Sequence, residues 1–162
     1  MRDLRSLIDD SEVTLAFYGS IVYLAIVSAF GSHREPPDPR VAVGAIVSTA
    51  TVLYIAHVFA ALVPRVARQG RLRSHFASTM RHDLPLLVSV VVPAIPLGLA
   101  VTGTISVESG YRLGVRLTLA LLFGLAVMLS RRDGLPWNRA LVAGFLIIAV
   151  TIVVIWLESR VH

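Results

Sequence analysis

A chain of 162 residues with 56% hydrophobic residues, only 15% charged residues and a mean hydropathy of +0.76 is not built like a water-soluble domain, where charged residues make up about 25%. It contains no cysteine, which excludes disulfides, thiolate metal sites and cysteine nucleophiles. The net charge of +5 comes wholly from arginine, since lysine is absent, and those arginines lie in short segments between apolar runs, where membrane topology explains them and nucleic-acid binding does not.

Five stretches reach the length of about 20 apolar residues that a bilayer span requires: residues 13–30, 41–63, 84–103, 111–129 and 139–157. Their length predicts helices, because barrel strands are shorter and alternate in polarity. The expectation is an all-α, polytopic membrane protein forming a single transmembrane domain over 1–162.

The opening stretch MRDLRSLIDDSE places Leu4, Leu7 and Ile8 at helical spacing, which predicts a short helix on the membrane surface. Asp9, Asp10 and Glu12 precede the first apolar run where a cleaved signal peptide would be basic, so no such peptide is expected. Span one carries Thr14, Tyr18, Gly19, Ser20 and Tyr23, and the proline-rich loop GSHREPPDPR joins it to span two as a tight hairpin.

Span two carries His57, the one histidine within an apolar stretch. At 3.6 residues per turn, Ala50, Tyr54, His57 and Ala61 share one side of this helix and Gly44, Ser48 and Thr51 the adjacent side. Together they predict a broad polar stripe unsuited to lipid. His57 lies six residues from the basic end, about 9 Å deep. Tyr18 matches that depth, so an antiparallel hairpin would bring Thr14 or Tyr18 against His57.

Residues 64–83 hold the densest positive charge, with Arg65, Arg68, Arg71, Arg73 and Arg81. Leu72, Phe76 and Met80 recur every four residues, predicting an interfacial helix on anionic headgroups. Span three contains Pro93 and Pro96, which predict a kink or helix break. Ala94, Gly98 and Thr102 on span three, Gly114, Ala120 and Gly124 on span four, and Ala140 and Gly144 on span five supply small residues for close packing.

Arginine counting sets the orientation. Arg2, Arg5, Arg65, Arg68, Arg71, Arg73, Arg81, Arg131 and Arg132 fall on one side, with Arg139 at its edge. Arg34, Arg40, Arg112 and Arg160 fall on the other, with Arg116 further into span four. The positive-inside rule then predicts a cytoplasmic N-terminus and an outside C-terminus, in a multi-pass protein of a cell membrane, a bacterial inner membrane by expectation.

Four constellations bear on function. A histidine inside a span is a candidate proton relay or pH gate, or else a neutral bridge between helices; Tyr54, Tyr18, Thr14, Ser48 and Thr51 are its candidate companions. Arg112 and Arg116, one turn apart, either form an anion-attracting vestibule, or snorkel to the membrane surface, or pair with Glu108 and Glu158. The Pro93–Pro96 segment either exposes carbonyls to an ion or is re-satisfied by its neighbours. The fourth is negative: Glu12, Asp83, Glu108 and Glu158 all read as edge residues, which argues against a carboxylate-driven cation pump or divalent-metal transporter. His75 and His82, seven apart, read as part of the basic surface and not as a metal site. No catalytic residues are assigned, because neither a Ser–His or Asp–Asp arrangement nor an HExxH motif is present. No enzyme activity, cofactor or metal is therefore expected.

The segments FYGSIVYLAIVSA, YIAHVFAAL and LESRVH resemble a group of small, multi-span integral membrane proteins of actinobacteria. That resemblance implies a five-helix membrane fold and an important His57, and it brings no activity with it. Two functions stay open. One is a small homo-oligomeric channel or transporter for an ion or small solute, proton-linked or pH-gated through His57. The other is a non-transporting accessory or scaffold protein whose basic cytoplasmic loop binds anionic lipid headgroups or a partner.

Overall fold

The computed structural model describes residues 10–31, 38–69, 80 and 83–161. Among them are five α-helices and no strands: α1 (Asp10–Gly31), α2 (Pro39–Gln69), α3 (Leu84–Val101), α4 (Val107–Arg132) and α5 (Trp137–Val161). The first four are long and apolar enough to cross a membrane, and the fifth adds the shorter apolar stretch Trp137–Val153. The fold is all-α and polytopic, as expected.

Backbone chemistry fixes the hairpins. At the end of α3, Gly103 takes a φ of 76°, its N–H donates to the Ala100 carbonyl (3.1 Å), and the Thr104 N–H donates to Leu99 (3.1 Å). This is the paired-bond ending in which a left-handed glycine satisfies the last free carbonyls of a helix. The same arrangement closes α4 at Gly134, with a φ of 84°, through Gly134 to Arg131 and Leu135 to Ser130. Ser106 then opens α4 by accepting from the Ser109 N–H at 3.3 Å. Arg131 stacks over Trp137 at 4.7 Å and donates to the Leu135 carbonyl, tying the α4–α5 turn together.

α1 packs against all four other helices, and most closely on α3 and α4. α2 lies on α3, and α5 on α4. The core joins Tyr23 and Val27 of α1, Ala42, Ile46 and Ala50 of α2, Val90 and Leu97 of α3, and Tyr111 of α4. Without a strong hydrophobic drive between helices in lipid, close approach and internal hydrogen bonds must hold such a bundle. Glycines provide the approach. A Cβ on Gly19 would stand 2.7 Å from the Leu86 carbonyl, and one on Gly144 would strike the Phe123 ring. One on Gly114 would meet the Tyr23 hydroxyl and come within 3.0 Å of the Pro93 carbonyl. Gly98 and Gly124, expected in packing ridges, instead face open space.

Of the kink or helix break expected at Pro93 and Pro96, the break does not occur. α3 stays helical from Leu84 to Val101 with both prolines buried inside it. Each proline lacks the N–H that would serve the carbonyl four residues earlier. Neighbouring helices press on this stretch: Tyr23, fully buried, donates its hydroxyl to the Pro93 carbonyl at 2.7 Å. A second departure concerns α2, which runs on through Pro64 to Gln69, so the expected interfacial segment 64–83 begins as more of the same helix.

The packing at Tyr23 is testable by unfolding in mixed micelles. Gly114→Ala is expected to cost about 1–3 kcal/mol by overpacking, and Tyr23→Phe about 0.5–1.7 kcal/mol. Gly98→Ala is the neutral control, and equal losses at Gly98 and Gly114 would contradict this packing.

Candidate functional site

Tyr54 reaches away from the α2 axis and donates its hydroxyl to the Met80 carbonyl at 2.9 Å. That bond draws the start of α3 alongside the middle of α2. α2 then continues 15 residues to Gln69, about 22 Å further. Asp83, immediately before α3, is carried in with it. It is only 2% exposed. Although it occupies the N-cap position of α3, its side chain makes no capping bond, and its Oδ2 is buried with no hydrogen-bond partner. It lies near enough to Tyr54 to interact with it electrostatically. Asp83 read as an edge residue from the sequence; the fold makes it a buried one. A buried carboxyl oxygen without a hydrogen-bond partner is costly.

His57 follows Tyr54 by three residues, about 4.5 Å along α2. It is exposed, and it makes no hydrogen bond or ion pair among the described residues. The expected contact with Tyr18 or Thr14 is not formed by a hydrogen bond, and both of those residues are exposed. The cause is the rotation of α1. Its buried side, with Ser20, Tyr23 and Val27, faces α3 and α4 and turns Tyr18 roughly half a circle outward.

The broad polar stripe expected on α2 splits in two. Ala50 is buried and Tyr54 half-buried, so that side is taken up by packing, with His57 at its margin. Gly44, Ser48 and Thr51 form a separate exposed face, Ser48 being nine residues and so about half a turn round from His57. Ser48 donates to the Ala45 carbonyl at 3.1 Å and Thr51 to Val47 at 2.7 Å. Their hydroxyls are satisfied within their own helix and tolerate an apolar surround.

At the arginine-poor end, Arg112 pairs with Glu108 at 3.4 Å, as the spacing suggested. Arg116 is exposed and makes no ion pair among the described residues. The side chains of Glu158, Arg65 and Arg68 lie outside what is described, as do Arg71, Arg73, Arg81 and the remaining residues of 70–79. Among the described residues no three His, Cys, Asp or Glu side chains gather as a metal site.

Besides Asp83, sequence reasoning missed Tyr111. Its hydroxyl is buried in the core near Tyr23 and Asp38 and has no hydrogen-bond partner. Other buried hydroxyls are quiet: Ser20, Ser89 and Thr118 each donate to a carbonyl of their own helix, at 2.8, 2.8 and 2.9 Å. A signal for Asp83 did exist, since an Asp two residues before a proline is a common helix start; what it could not give was the depth of that start in the bundle. Compared with known protein families, curated proteins and solved structures, the chain matches none.

Tyr54→Phe should lower the micelle unfolding midpoint by about 0.5–1.7 kcal/mol, whereas Ser48→Ala and Thr51→Ala should stay within about 0.5 kcal/mol of wild type. A larger loss at Ser48 or Thr51 than at Tyr54 would contradict the outward placement of that face.

Proposed function

We propose that the chain is a small homo-oligomeric channel or transporter for an ion or small solute, with its path passing Asp83 and Tyr54 and its pH response set through His57. The carrying observation is the buried Asp83, whose Oδ2 has no hydrogen-bond partner, beside Tyr54, which itself stands about one helical turn from the exposed His57. A single carboxyl group suits a proton or monovalent cation better than a divalent ion, which gathers six or more oxygens. Among the described residues, Tyr54 lies one turn from His57 on its own helix and Asp83 at the start of α3 lies beside Tyr54, while Tyr18 on α1 is exposed. Oligomer formation draws support from α2, whose exposed face bears Gly44, Ser48 and Thr51. A small-residue face lets a second helix approach closely in lipid.

The accessory or scaffold reading rests on a different observation. α2 stays helical to Gln69, so the backbone positions of Arg65 and Arg68 continue the helix beyond its expected apolar span.

Ion flux in proteoliposomes separates the two. With a pH-sensitive dye at two external pH values, wild type is expected to conduct in a pH-dependent way, and His57→Ala to lose that dependence while still assembling. Equally small flux from both proteins, with insertion verified, would overturn the transport reading in favour of the accessory one.

A further inference from the structure

We infer that Arg116, with Arg112 beside it, holds the phosphate of an anionic phospholipid at the arginine-poor end of the bundle. The inference is independent of transport.

α4 begins at Val107 and runs 26 residues, about 39 Å, close to the thickness of a bilayer with its headgroups. Arg116 lies nine residues in, about 13 Å along the axis, which puts its backbone just inside the hydrocarbon. Its side chain points out of the bundle, flanked by Leu113 and Leu117, both 42% exposed, with Ala120 exposed a turn below. Arg112, one turn above, is already engaged by Glu108. Of these three charged groups, Arg116 is left uncompensated. Hydrocarbon does not tolerate a bare guanidinium, and its apolar stem allows the head to rise to the headgroup level.

Three occupants could neutralise it. A carboxylate of the same chain is not one among the described residues, since Arg116 makes no ion pair there. A second copy of the chain would have to bring an acidic group to this depth, and the acidic residues near this end whose side chains are described are Glu108, held by Arg112, and Asp38, which accepts the backbone N–H of Arg40 at 2.9 Å. Lipid phosphates lie all round the protein at the headgroup level, to which the stem of Arg116 lets its guanidinium rise. A planar guanidinium binds two phosphate oxygens at once, while Leu113, Leu117 and Ala120 offer an apolar surface for the acyl chain. Charge complementarity thus selects an anionic phospholipid.

Trp156 supplies a built-in reporter. Counting eleven residues outward along each helix from the Phe123–Phe145 ring contact brings Trp156 level with Arg112. In a Trp137→Phe background, Trp156 fluorescence is titrated in phosphatidylcholine vesicles carrying brominated phosphatidylglycerol or brominated phosphatidylcholine. The expected result is stronger quenching by the anionic lipid, a preference of about fivefold for one added charge contact. Arg116→Gln abolishes that preference and Arg116→Lys keeps part of it. Equal quenching by both lipids in the parent protein, or a preference unchanged in Arg116→Gln, overturns the proposal. An Arg116→Gln protein with intact lipid preference but a smaller assembly in crosslinking assigns the position to a second copy, which also overturns it.

Discussion

Inside a bilayer, a polar group must find its partner within the protein, and the hydroxyl of Tyr23 on the Pro93 carbonyl is where this chain meets that constraint most directly. Two prolines in one span would expose backbone carbonyls to hydrocarbon. A fully buried tyrosine from α1 reaches that stretch, and Gly114 of α4 leaves the room for it. Three helices are held by this one contact. With α3 kept helical through both prolines, the positions of Ala42, Ile46 and Ala50 of α2 against Val90 and Leu97 follow, and with them the place where α3 begins.

The same constraint makes the exceptions informative. Ser20, Ser89, Thr118, Ser48 and Thr51 all bond to carbonyls of their own helices and need nothing further. Tyr54 finds Met80. Two buried side-chain atoms among the described residues do not comply: the hydroxyl of Tyr111 and the Oδ2 of Asp83. A buried hydroxyl is the milder case, and one ordered water answers it. A buried carboxyl is the expensive one, and natural folds accept such costs chiefly where function requires them. The cost falls where α3 begins beside α2, at Asp83 and Tyr54.

Helix number and placement were legible in the sequence because length and apolarity decide them, and the stretches read at 13–30 and 84–103 match α1 and α3 to within a few residues. The charge partner of Arg112 was legible too, since Glu108 stands one turn away on the same helix. Rotation was not legible. Depth alone paired Tyr18 with His57, yet the tight packing of Gly19 on Leu86 turns the opposite face of α1 inward. Asp83 misled for a related reason. An acidic residue beside an apolar run looks like a boundary marker, and only the overhang of the 31-residue α2 past the 18-residue α3 shows that this boundary lies within the bundle. Of the two alternatives read at the prolines, the break does not form, because both pack buried inside a continuous helix against neighbouring helices, which no local pattern displays.

The most direct measurement is the unfolding midpoint of Asp83→Asn beside wild type in mixed micelles without added ligand. If the carboxyl group is kept for a ligand at the expense of stability, the amide should raise stability by about 0.5–2 kcal/mol. A clear fall in stability would contradict that claim and make Asp83 a structural residue of the α3 terminus.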